Sequence, residues 1–394
     1  MNVAIVGATV VTPETVYPNG TVVCREGIVA EVLPDTAPPP DVGTTLDTST
    51  LVLAPGFIEL QINGGFGLDL ASDPEAIWKL GARLVELGVT SFLPTLISSP
   101  PEIIARAQAV ICGGPPPGYS GANALGLHLE GPFLAPARRG AHPLNCLRQP
   151  TAAETQTWSP AEGVAMVTLA PELPGALDLT GRLIDRGIVI GAGHSAADFK
   201  SSQAGIAAGI AYGTHVFNAM TGLDHRTPGL AAALLGDSGA TVGLIADGIH
   251  VHPQMIRIAW RLAGPDRLSL VSDAIAGLGM APGKFHLGTQ EVLVSDSSAR
   301  LADGRLAGSV LPINLGVRNL MTYTGCGIDI AIRSVTSVPS RLLGLADRGV
   351  IRTGGRADLV LLTQDLEVVT TFVAGEVAYA AEDAPWAALK SPKA

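Results

Sequence analysis

The sequence predicts an α/β protein, a (β/α)8 TIM-like barrel with a small β-sandwich domain formed from both termini. Three features carry this prediction. Between residues 55 and 349, short and nearly continuous apolar runs alternate with helix-length amphipathic segments, the rhythm of a parallel sheet buried on both faces. The two ends of the chain share another texture, short alternating runs broken by turn residues. Finally, the polar residues of the middle collect where each apolar run stops, and a barrel gathers those positions on one face.

The ends come first. Residues 1–54 read as antiparallel strands, with runs at 3–6 and 21–33 and a turn at Glu26-Gly27. From Ala357 the chain reads ADLVLLTQDLEVVTTFVAGEVAY, again short β-rich runs. Chain termini often lie close together, so 1–54 and 350–394 are assigned to one small domain and 55–349 to the barrel, with the Pro-rich stretch 37–41 as a loop. In the middle, eight runs qualify as strands: 56–62, 89–95, 124–130, 164–170, 187–193, 211–216, 241–246 and 267–272. Each is expected to be followed by a helix. The pattern at 74–87 has Ser72 or Asp73 as N-cap and Gly88 as its stop, and that at 195–208 has Ser195 as N-cap. An open doubly wound sheet uses the same units and stands as the alternative.

Composition narrows the function. With 394 residues, 47% hydrophobic and 15% charged, the chain has the means to bury a large core. Lys and Arg number 25 against 35 Asp and Glu, a formal charge of −10, so no electrostatic footprint for nucleic acid or a membrane surface exists. An anionic ligand must be met by a local site. The four Cys are scattered without a C-x-x-C pair, which argues for a reducing, cytoplasmic setting and against disulfides or a Cys-based zinc site. The opening MNVAIVGATVVTPE has no basic residue before Arg25 and is interrupted by Pro13, so it reads as a strand and not a signal peptide. No apolar stretch reaches the length of a membrane span.

Seven of the eight His lie between 128 and 252, where an even spread would place about two or three. The strand ends explain why. The runs close on Gln61-Ile62-Asn63, His128-Leu129-Glu130, His194-Ser195, His215-Val216-Phe217-Asn218, Asp247-Gly248-Ile249-His250 and Ser272-Asp273. A single His in such a place is usually a hydrogen-bonded structural residue. Carboxylates and imidazoles at five strand ends of one barrel are too costly to desolvate without partners. Two His and a Glu from three strands make a ligand shell for a divalent ion, and Asp273 beside it makes a general base and acid. The stretch GAGHSA at 191–196 fits a dinucleotide fingerprint, but the next strand ends in His215 where that motif needs an acidic residue.

With these residues in view, the chain resembles the N-acetylglucosamine-6-phosphate deacetylase family of the amidohydrolase superfamily. The resemblance spans most of the chain, through PGFIELQINGG at 55–65, HLEGPF at 128–133, GAGHSAA at 191–197, GTHVFNAM at 213–220, IADGIHV at 245–251, VSDA at 271–274 and LAGS at 306–309. It implies a metal-dependent barrel that removes acetate from a phosphorylated amino sugar. It implies Glu130, His194 and His215 as ligands of one divalent metal ion, zinc first, with iron, cobalt or manganese open. Asp273 is implied as the catalytic acid and base. Substrate contacts are implied at Ala141, His142, Asn218, Ala219, Arg226, His250, Leu306, Ala307 and Gly308, with Arg226 and His250 as the phosphate partners, and a homodimer is implied as the assembly. Where other superfamily members carry His-x-His on the first strand, this chain has Gln61 and Asn63, poor ligands for a transition metal, so a mononuclear site is expected. None of its five Lys falls at the end of the fourth strand, where a carboxylated Lys would sit. The alternatives are a deacetylase of another phosphorylated N-acetyl hexosamine such as N-acetylgalactosamine 6-phosphate, another metal hydrolase such as a lactamase or deaminase, and a non-catalytic binding protein.

Overall fold

The computed structural model describes residues 2–13, 15–34, 42–236, 239–295 and 297–389. The Pro-rich stretch 37–41 lies outside the described residues. All eight predicted runs form parallel strands of one sheet, in chain order: Phe57–Ile62, Val89–Ile97, Leu127–Glu130, Val164–Leu169, Val189–Ala192, Tyr212–Gly213, Thr241–Leu244 and Leu268–Leu270. We number them barrel strands 1 to 8. Every residue of strands 1 and 2 is buried, which is why apolar residues predominate in them, with Glu59, Gln61, Thr90, Ser91 and Thr95 as the buried polar exceptions. Strand 8 returns to strand 1 through the Asp273 N–H donating to the Gln61 carbonyl at 2.9 Å and a parallel bridge between Ile62 and Ala274. The sheet therefore closes, and the doubly wound alternative falls.

Helices follow seven of the eight strands. The predicted helix at 74–87 forms as Pro74–Ala76, Ile77–Leu84 and Val85–Leu87 in sequence, and Gly88 stops it with φ +81°. Two expectations are corrected. The helix after strand 5 is Phe199–Ala207, and Asp198, not Ser195, caps it by accepting the Ser201 N–H at 2.8 Å. Ser195 instead donates to Glu172 at 2.7 Å. After strand 3 no long helix forms, only the short turns Pro136–Arg138, Leu144–Cys146 and Pro160–Glu162. Pro132, Pro136, Pro143, Pro150 and Pro160 interrupt that segment, and a proline inside a helix removes a donor and clashes with the preceding turn.

The terminal strands form a second sheet in the order Glu376–Ala380, Val368–Val373, Leu359–Leu362, Val52–Pro55, Val3–Val11, Val16–Arg25, Ile28–Leu33, with Thr45–Asp47 also beside Val3–Val11. The Glu26-Gly27 turn joins two of these, both residues at positive φ, as a tight two-residue hairpin demands. An apolar cluster of its own, including Val3, Ile5, Leu53, Leu359 and Phe372, underlies this sheet. A small antiparallel sheet of Gly283–Leu287, Gln290–Val294 and Ala299–Arg300 is inserted after strand 8 and carries His286. Among the described residues no helix is long and apolar enough to cross a membrane.

Candidate active site

Strand ends 3, 5 and 6 bring Glu130, His194 and His215 to one point. Glu130 Oε1 lies 3.1 Å from His194 Nε2 and 2.8 Å from His215 Nε2, and the two Nε2 atoms are 3.1 Å apart. All three side chains are buried. His194 Nδ1–H donates to the Arg138 carbonyl at 2.9 Å, so in the neutral ring Nε2 carries a lone pair, not a proton. That lone pair, 3.1 Å from a carboxylate oxygen in a buried space, is repelled by it unless a cation, a proton or a metal ion, is shared between them. The donor set and its spacing fit a divalent ion, since two-nitrogen, one-oxygen shells are common for such ions and tetrahedral ligand atoms sit about 3.3 Å apart. Burial pushes the Glu130 carboxyl up, but its contacts with His142, His194 and His215 prevail and hold it well below the usual range. Burial likewise pulls His215 down, while the Glu130 hydrogen bond and charge outweigh it and raise the imidazole.

Asp273 stands at the end of strand 8. Burial first, and the charge of Glu130 second, push its carboxyl up to about 6, close to where a residue can both take and give a proton near neutrality. Asn63 Nδ2 donates to Asp273 Oδ1 at 2.7 Å and Gln61 Nε2 donates to the same oxygen at 3.2 Å and to Glu130 Oε1 at 3.1 Å. The two amides that stand in for ligands on strand 1 thus brace the carboxylates. Backbone strain concentrates here: of nine non-Gly residues with positive φ among the described residues, five are His194, His215, Phe217, Ala219 and Asp273, conformations that persist only where surrounding structure enforces them.

A cavity of about 310 Å³ opens over these groups and includes Ala141, His142, Asn218, Ala219, His250, Leu306 and Gly308 in its wall. Ala307 is buried and Arg226 exposed, and neither belongs to the wall. Gly308 has φ +61°, and a Cβ there would come 2.5 Å from Ile275 and 2.8 Å from the Asp273 carbonyl, so only glycine lets this segment pass. His142 Nδ1 accepts the Ser98 N–H at 3.0 Å, which puts the proton on Nε2, 3.5 Å from Glu130 Oε2; burial, then the neighbouring His194, drive its imidazole down to about 4. His250 Nδ1 pairs with Asp247 at 2.6 Å, leaving Nε2 for a ligand. Burial pushes Asp247 up, but His250 and the backbone N–H groups of 249 and 250 prevail and hold it below its usual value.

The remaining His are structural or peripheral. His128 donates from Nδ1 to the Leu60 carbonyl at 3.0 Å, and its Nε2 accepts from Thr168 at 2.8 Å. Burial holds its pKa near 4, so it is a neutral brace inside the barrel. His252 caps the helix Pro253–Ala263, and His225 is exposed. The wall residues without a signal in the strand-end pattern include Arg138, whose carbonyl orients His194, Leu287 of the inserted sheet, and Arg305, which donates to the Gly140 carbonyl at 2.5 Å and pairs with Asp303.

This geometry matches a known family. The amidohydrolase family model covers residues 52–378. The chain belongs to the amidohydrolase family. As an amidohydrolase it is similar to human N-acetylglucosamine-6-phosphate deacetylase, 40% identical over 356 residues, 86% of each chain. It is similar in structure to N-acetylglucosamine-6-phosphate deacetylase from Pasteurella multocida, with TM-score 0.90, 29% identity, and 97% of this chain and 100% of that one covered. The Mycobacterium smegmatis enzyme, a mutant in complex with N-acetyl-D-glucosamine-6-phosphate, matches with TM-score 0.88, 33% identity, and 96% and 99% covered.

Proposed function

We propose that this amidohydrolase hydrolyses the acetamide of N-acetylglucosamine 6-phosphate, giving glucosamine 6-phosphate and acetate. The observation that carries the reading is the convergence of Glu130, His194 and His215 with Asp273 on one cavity, in a chain 40% identical to a deacetylase of that name. Glu130, His194 and His215 are the residues that would hold the metal ion, with zinc first among zinc, iron, cobalt and manganese. Bound there, such an ion lowers the pKa of water and polarises a carbonyl.

The chain's own groups then divide the work. Asp273 takes a proton from the attacking water as its oxygen bonds to the acetyl carbon. As the C–N bond breaks, Asp273 returns that proton to the sugar nitrogen, which leaves as an amine. His142 offers an N–H toward the reacting carbonyl oxygen, a donor already oriented by Ser98. Ala141, Asn218, Ala219 and the 306–308 segment contact the sugar, and His250 with Arg226 meets the phosphate, an imidazole and a guanidinium answering an otherwise acidic chain.

The same reading takes the protein as a cytoplasmic homodimer, with 1–54 and 350–394 as one domain and 55–349 as the other. The separate apolar cluster under the terminal sheet supports that division. The test is acetate release by the purified chain from N-acetylglucosamine 6-phosphate and from its galacto epimer, with metal analysis and light scattering on the same sample. One bound metal per chain, a kcat/KM favouring the gluco sugar and loss of turnover on chelation are expected. Metal-loaded protein that releases no acetate would overturn the reading.

A further inference from the structure

We infer that Asn63, assisted by Gln61, is a positioning residue for the hydrolysis: its amide holds Oδ1 of Asp273 so that Oδ2 faces the reacting atoms. The inference rests on the reading of Asp273 as the acid and base.

Asn63 and Gln61 sit where strand 1 ends, both within 2% of full burial. Their Nδ2 and Nε2 atoms meet at a single acceptor, Asp273 Oδ1, at 2.7 and 3.2 Å. Among the described residues Asp273 Oδ2 accepts no hydrogen bond, and the side chain lines the cavity. One carboxylate oxygen is thus anchored and the other is left for proton transfer. The backbone makes the arrangement rigid. The Asn63 N–H donates to the Ala274 carbonyl at 2.8 Å, the Asp273 N–H to the Gln61 carbonyl at 2.9 Å, and the Ser309 N–H to the Asp273 carbonyl at 2.8 Å. Asp273 itself is held at φ +48°.

A merely space-filling role fits poorly. Gln61 Oε1 and Asn63 Oδ1 are buried without a hydrogen-bond partner, a cost that an apolar side chain of similar volume would not carry. Turning either amide over would set its oxygen against a carboxylate oxygen. The orientation is therefore fixed by what the N–H groups do for Asp273. The two differ as probes: the Gln61 side chain also donates to Glu130, a proposed metal ligand, whereas the Asn63 side chain donates only to Asp273. Asn63 is the cleaner one.

The experiment is a double-mutant cycle on the full, metal-loaded chain with N-acetylglucosamine 6-phosphate, using N63A, D273A and the double variant. Losing the partner that orients a metal ligand usually costs 10- to 100-fold; on the same scale for the partner of Asp273, N63A should lower kcat by about 10- to 100-fold while KM moves less than about threefold. Metal content should stay at one ion per chain. In the D273A background N63A should change the residual rate less than about twofold, because residues acting as a unit are not additive. If N63A does not fold, N63S replaces it in the same cycle. A folded, metal-loaded N63A or N63S with wild-type kcat, or an equal loss of rate with and without Asp273, overturns the inference while the wild type still releases acetate. A metal-loaded wild type that releases none overturns the functional reading and this inference with it.

Discussion

Glu59 offers a sharp test of how the barrel closes. Its side chain is 1% exposed, with Oε1 accepting the Gln61 N–H and Oε2 the Ser272 N–H, each at 3.0 Å. It therefore ties strand 1 to the residue before Asp273. Burial pushes its carboxyl from 4.5 up to about 8, against the lowering effect of these hydrogen bonds. A raised value means that the folded protein keeps a proton which the unfolded chain has already released. Its contribution is complete below pH 4.5 and is lost as pH rises through about 8. At about 1.4 kcal/mol for each pH unit, the whole interval corresponds to about 5 kcal/mol. E59Q removes the titration while keeping the shape. Urea unfolding of both proteins at pH 5.5 to 8.5, at one fixed metal concentration, should give a stability difference, wild type minus E59Q, that falls by about 1.4 kcal/mol per pH unit up to about pH 8 and then levels. Parallel stability curves would refute the assignment of a protonated carboxyl between strands 1 and 8.

Two further predictions concern the substrate contacts. R226A should raise KM for the phosphorylated sugar by about 10- to 100-fold, the worth of a charge-assisted hydrogen bond, and should not change kcat/KM for unphosphorylated N-acetylglucosamine; comparison of kcat/KM on the two sugars checks this. G308A should destabilise the protein by about 1–3 kcal/mol through its strained φ and lower kcat, since its Cβ would approach the Asp273 carbonyl at 2.8 Å; thermal melts and steady-state kinetics on the same preparation check both effects.

The barrel is legible in the sequence because burial on both faces makes the strands predominantly apolar. Strand 4 illustrates it, with Val164–Leu169 reading VAMVTL and five of its six residues buried. The metal shell is legible for a related reason: in a chain with few charges, polar residues at repeated strand ends have no structural excuse. What escapes the pattern is of four kinds. The inserted sheet has an ordinary hairpin signature, alternation through 283–294 around Gly288-Thr289, hidden inside a stronger barrel rhythm. The segment after strand 3 is read as helical by analogy with its neighbours, and its five prolines overrule that. Contacts made by backbone carbonyls, such as Arg138 on His194 and Gly140 on Arg305, carry no side-chain signature. The roles of Gln61 and Asn63 escape the pattern for another reason, since their side-chain amides act across the seam between strands 1 and 8. Their identities mark an altered ligand position, but that they brace Asp273, more than 200 residues away, becomes visible only when the barrel closes.

The central claim is that Asp273 moves the proton while Glu130, His194 and His215 hold the metal. Steady-state acetate release by D273N, measured beside its metal stoichiometry, tests it most directly. General acid and base catalysis is worth about 10²- to 10⁴-fold, so D273N should lose at least about 10²-fold in kcat while retaining one metal ion per chain. Fully loaded D273N that turns over at the wild-type rate would contradict the account.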